Sequence, residues 1–114
     1  MASAPLIFHI SHASVVVPPE VREDILLTDR ELAIERLRMT DRYTDEIFKR
    51  AVLQGHAVVE FPVSRLVVDP ERFVADAEEP LATRGMCVVY VKTHDGSPLR
   101  AHLAHKAALV RDYY

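Results

Sequence analysis

The chain has 114 residues, 49% hydrophobic and 27% charged, with a formal net charge of −3. That is enough for one domain with one core, in the ordinary balance of a globular protein. Its positive charges are scattered and no apolar run nears the roughly 18 residues of a membrane span, so neither nucleic acid nor a membrane is an expected partner. The start carries no basic segment followed by an apolar one. Cys87 stands alone, which rules out an internal disulfide and fits a reducing compartment, so the cytoplasm is the expected location.

In chain order, Leu6 to Ile10 reads as a strand feeding a tight loop at Ser11-His12-Ala13-Ser14. Pro18-Pro19 forbids a continuing central strand. His12 therefore falls just past a strand's C-terminal end, where open α/β sheets bind ligands, although taken singly a lone loop histidine is expected to be exposed and idle. His9, inside the strand, is expected to be a hydrogen-bonded core residue. Thr28 or Asp29 looks like an N-cap for a helix carrying Leu32, Ile34 and Leu37. Tyr43, Ile47, Phe48, Ala51 and Val52 predict a second helix from about Asp41 to Leu53, stopped by Gly55. On that helix Asp41 and Asp45 would lie one turn apart on one face. Spacing alone makes Asp41 a cap and Asp45 a solvent-facing or arginine-paired residue; a shared cation between them is the other reading.

Ala57 to Phe61 predicts a second strand, and the run Phe61 to Phe73 follows, with apolar Leu66, Val67 and Val68 set among Arg65, Asp69 and Arg72. This run reads as a buried strand that delivers three charges to a sheet edge. The charges either pair internally, Arg to Asp, or form a fork for a carboxylate ligand, since guanidinium presents paired donors of matching geometry. Acidic residues, Pro70 and Pro80 make the stretch up to Gly85 a loop. Met86 to Val91 predicts the clearest strand, Thr93 to Pro98 a turn, and Ser97 or Pro98 opens a last helix with Leu99, Leu103, Ala107, Val110 and Tyr114 on one face. His102 and His105, three apart on that helix, are expected at the surface rather than on a metal. Alternating strands and helices favour an α/β layer architecture. A Gly-rich phosphate loop, a Cys-x-x-Cys pair and a Gly-x-Ser-x-Gly elbow are all absent.

The motifs taken together are more specific than any one of them. His12 before the proline pair, Thr40-Asp41-Arg42-Tyr43-Thr44-Asp45, Ser64-Arg65-Leu66-Val67-Val68-Asp69-Pro70-Glu71-Arg72 and Asp95-Gly96-Ser97-Pro98-Leu99-Arg100 follow in that order. The order resembles the N-formylglutamate amidohydrolase family over nearly the whole chain. The resemblance implies one α/β domain over residues 1–114, a three-layer sandwich with a mixed sheet flanked by helices. It implies a zinc-dependent hydrolase that cleaves the amide of an N-formyl or N-acyl acidic amino acid, a small carboxylated amide. His12 matches a metal ligand, Asp41 and Asp45 match acidic positions of which one would be the carboxylate ligand, and Arg65 and Arg72 match the arginines that orient the substrate carboxylate, with Asp69 holding one of them. Two positions depart from the pattern: Glu71, where Asn is common, and Cys87, where a small residue is common. The family pattern also continues past Tyr113-Tyr114 into a segment with a later histidine, so an N-terminal part of a longer protein, or a shortened relative, is expected. The competing reading is a non-catalytic module on the same fold that binds carboxylates or forms a homo-oligomer.

Overall fold

A computed structural model describes residues 4–114. Strand β1, Ile7–Ile10, pairs in parallel with β2, Ala57–Glu60, in the register Ile7 to Ala57 through Ile10 to Glu60. Parallel neighbours require a long crossover. Here it runs through α1 (Pro19–Arg22), α2 (Asp29–Arg38), α3 (Thr44–Ile47) and α4 (Lys49–Leu53), and α5 (Lys106–Tyr113) closes the chain. The architecture is α/β, and the sheet of the described residues has two strands, both parallel. No helix among the described residues is long and apolar enough to cross a membrane.

Local chemistry explains the helix boundaries. Pro19 starts α1, where its missing N–H costs nothing. Thr28 caps α2 through a reciprocal box: its hydroxyl accepts from Glu31 N at 3.2 Å, and Glu31 Oε1 accepts from Thr28 N at 3.0 Å. The buried residues of α2 are Leu32 and Glu35, whereas Ile34 and Leu37 are exposed. The expected single helix from Asp41 is two short ones, because Tyr43 takes a left-handed φ of 69° and Phe48 separates α3 from α4. Asp41 therefore precedes the helix, and the shared Asp41–Asp45 face does not form.

The two apolar runs after β2 are buried as expected, and neither is a strand. Leu66, Val67, Val68, Val88 and Tyr90 are completely buried, but Val67 N donates to Ser64 O at 2.9 Å in a turn, and Val91 N donates to Gly85 O at 2.9 Å. An apolar run buried on all sides lacks the alternation that marks a strand, so its pattern does not fix its backbone. Val67 and Val68 pack with Val21, Val63, Val88 and Leu109, while Leu66 packs with Leu32, Met39, Tyr90 and Leu99. The Phe61–Phe73 run thus joins two core clusters, and each buried side chain there is worth about 1.5–3 kcal/mol. In place of a ladder, the buried Arg100 donates to Tyr90 O and to Leu66 O, both at 2.7 Å. Burial pushes the Arg100 pKa down to about 10, so it remains charged at neutral pH.

The last helix begins at Lys106 rather than at Ser97 or Pro98, because Leu99 is drawn into the core by hydrogen bonds with Val91 and Leu26. His102 and His105 accordingly precede the helix, and His105 Nδ1 lies 2.5 Å from Asp24 Oδ2. His9 is exposed on β1, not in the core.

Candidate functional site

Parallel pairing sets the C-terminal ends of both strands at one edge. Past Ile10 come Ser11 and His12, and past Glu60 comes the run that leads to Asp69. Phe61 N donates to Ile10 O at 2.9 Å, which holds the two exits together. His12 is 5% exposed and Asp69 fully buried, and His12 Nε2 lies 2.8 Å from Asp69 Oδ1. An ionised carboxylate only accepts, so Nε2 carries the hydrogen and the Nδ1 lone pair points away from Asp69.

Asp69 is the hub of the cluster. It accepts from His12 Nε2, from Tyr90 Oη at 2.5 Å, from Arg65 Nη2 at 3.2 Å and from Glu71 N at 3.0 Å. Burial by itself raises the Asp69 pKa, but the hydrogen bonds from His12, Tyr90 and Glu71 N outweigh it and hold the carboxyl well below the usual range. Burial together with the Asp69 carboxylate pushes Tyr90 up to about 12. Burial works against Arg65, yet the Tyr90 oxygen and the Asp69 carboxylate hold it above its ordinary value. Arg65 spends Nε on Tyr90 Oη at 3.2 Å and Nη2 on Asp69. Arg72 Nε sits 3.8 Å from Asp69 Oδ2, buried and, among the described residues, without a hydrogen-bond partner. The expected fork is therefore divided: Arg65 is committed inward, and Arg72 keeps a free donor.

On the other side of the imidazole, Asp41 N donates to His12 O at 2.8 Å, which anchors Asp41 beside it. Asp41 Oδ2 lies 3.6 Å and Glu71 Oε2 3.8 Å from His12 Nδ1. The other Glu71 oxygen, Oε1, accepts from Ser11 Oγ at 2.8 Å. The structure thus brings His12, Asp41, Arg65, Asp69 and Arg72 together. Asp45 lies in the first turn of α3 and, among the described residues, makes no polar contact with any of them.

An imidazole nitrogen with carboxylate oxygens is a donor set that zinc accepts. Among the described residues no three His, Cys, Asp or Glu side chains close into a complete metal-holding group. His12 and Asp41 supply two fitting donors, and the free Nδ1 lone pair is the feature that fits a metal best.

Three participants were not singled out as site residues from sequence. The Asp69-Pro70-Glu71 order was a usable signal, because an Asp side chain often accepts from the N–H two residues on, and that bond aims Glu71 back toward His12. Tyr90 ends an apolar run, and a buried tyrosine hydroxyl needs a partner. Ser11 gave no signal of its own. A family model described as N-formylglutamate amidohydrolase matches residues 4–114 of the chain. No curated protein and no solved structure matches it.

Proposed function

Because the chain belongs to the N-formylglutamate amidohydrolase family, whose members are hydrolases acting on amides, we propose that its substrate is an N-formyl or N-acyl acidic amino acid and that zinc assists the cleavage. The observation that carries this reading is the free Nδ1 of His12, set between a carboxylate at 3.6 Å and an Arg65–Asp69–Arg72 group at one strand edge. Of the two acidic positions, Asp41 is favoured over Asp45 as the carboxylate ligand, since only Asp41 is bonded to the His12 backbone. Zinc bound there would polarise the scissile carbonyl and lower the pKa of a bound water toward about 7. Asp69 holds His12 in the tautomer that offers Nδ1, and it neutralises Arg65. Arg72, whose Nη groups make no hydrogen bond among the described residues, takes the substrate carboxylate. On this reading β1 and β2 are part of the mixed sheet of a three-layer sandwich in a single domain, and the lone Cys87 suits a cytoplasmic protein.

The test is formate release from N-formyl-L-glutamate compared with N-formyl-L-leucine, with zinc supplied. Arg72→Ala is expected to raise KM for the glutamate derivative about tenfold to a hundredfold, the worth of one charge-assisted hydrogen bond, and to leave the leucine derivative unaffected. Equal turnover of both substrates, or an indifferent Arg72→Ala, contradicts the proposal.

A second reading, an oligomerising module, is favoured by the apolar cover of the sheet region: Ile7 is 77% exposed, Val59 53% and Leu53 88%. Sedimentation at rising concentration separates it from the hydrolase.

A further inference from the structure

Ile34, an apolar residue of α2, is 47% exposed. It shares one helix face with Glu31, Glu35 and Arg38, since the four recur at three- and four-residue steps. That face and the turn from Thr93 to Ser97 line a cavity of about 220 Å³. The turn fixes its own polar groups. Glu35 is 5% exposed, and its two oxygens accept from His94 N and from His94 Nδ1, both at 2.6 Å. Nδ1 therefore carries the hydrogen, and Nε2, turned away from Glu35, is an acceptor. Beside it, Asp95 Oδ1 accepts from Thr93 Oγ1 at 2.5 Å and from Ser97 N at 3.2 Å. Those bonds hold the Asp95 pKa down to about 2, so the carboxylate is charged at neutral pH and Oδ2 stays open.

Glu31 spends Oε1 on Thr28 N and keeps Oε2. Arg38 has no hydrogen bond or ion pair among the described residues. The lining thus offers two carboxylate oxygens, one imidazole acceptor and one guanidinium beside the apolar Ile34 and Leu27. An amine alone leaves Arg38 unanswered, and a carboxylate alone meets three acceptors. A molecule carrying both, with an apolar side chain, satisfies the whole lining. The volume lies under the roughly 300 Å³ where pockets for drug-sized ligands begin, so the occupant is small. We infer that this cavity is a second ligand site, which takes a free α-amino acid with an apolar side chain: its ammonium on Asp95, Glu31 and His94 Nε2, its carboxylate on Arg38. Glu35 acts as the residue that positions His94. The inference does not depend on the hydrolase reading. Glu31, Arg38 and Asp95 are exposed, where ion pairs are weak, so the affinity is about millimolar.

The probe is L-leucine, titrated into the full chain and followed by nitrogen shifts of the backbone amides and the imidazoles. Saturable shifts with a Kd of about 1 mM, largest in α2, His94 and Asp95, are expected. N-acetyl-L-leucine lacks the ammonium and L-leucinamide the carboxylate, and each should bind about threefold to fivefold more weakly. Asp95→Asn should weaken L-leucine and L-leucinamide alike, whereas Arg38→Gln should weaken L-leucine only. Thermal melting of both variants confirms folding. No saturation by about 20 mM, equal binding of the three compounds, or indifference to both substitutions overturns the site. Shifts centred on His12 and Asp69 overturn it as well, because they put the amino acid in the cluster already described.

Discussion

Asp69 has four donors and no contact with solvent, so the site's order is a property of one carboxylate. Replacing it with Asn strips the countercharge from Arg65 and blurs the His12 tautomer, at a cost of about 3 kcal/mol or more. Its depressed pKa fixes a sign. The stability that Asp69 contributes is in place above the ordinary carboxylate value near 3.8 and drains as pH falls below it toward the lower folded value. An acid titration followed by circular dichroism should show Asp69→Asn less stable at pH 7 and less sensitive to acid below about pH 4. Tyr90 runs the other way. With its pKa raised from 10.0 to about 12, its contribution is complete below pH 10 and is lost as pH climbs toward 12. Tyr90→Phe should lower the melting temperature, costing about 1–3 kcal/mol at neutral pH, and should flatten that alkaline loss. At this scale the sequence was informative, because Arg65, Asp69 and Arg72 beside a buried run had to find partners. Glu71 was visible as a departure from a family pattern, and the Asp69-Pro70-Glu71 order carried the further signal of a bond from its N–H to the Asp69 side chain.

Elements were less legible than residues. β1, β2 and the Thr28 cap could be read because each has a local signature: a short apolar run bounded by turns, or a hydroxyl three residues ahead of a glutamate. Leu66 to Val68 and Met86 to Val91 could not, because their backbone bonds go to turns, to each other's neighbours and to the Arg100 guanidinium, which no periodicity records. Arg100→Met fills similar space and leaves the carbonyls of Leu66 and Tyr90 without a donor; a loss of about 2 kcal/mol or more in urea unfolding is expected. An unchanged midpoint would show that the two loops stand without it. Thr28→Ala, remote from the site, should cost about 1 kcal/mol and leave metal affinity untouched. The break at Tyr43 escaped the helical pattern because a non-glycine residue in the left-handed region has no compositional marker.

As a whole the molecule is elongated, 54 × 32 × 24 Å with a radius of gyration of 15.6 Å, against about 13 Å for a tightly packed domain of this length. Its dense part is the pair of clusters joined by Phe61 to Phe73, and its open part is the sheet with α3 and α4, where Ile7, Ile47 and Leu53 face solvent. Parallel sheets are usually covered on both faces, and here the sheet end leaves these apolar side chains in solvent. The site lies where the two parts meet, so the metal binding proposed for it would depend on the whole arrangement rather than on one loop. The most direct measurement is the zinc content of the purified chain after dialysis against trace metal, beside His12→Ala treated identically. One zinc per chain, lost in the variant with the fold intact by circular dichroism, is the predicted result; equal zinc in both, or none in either, would contradict it.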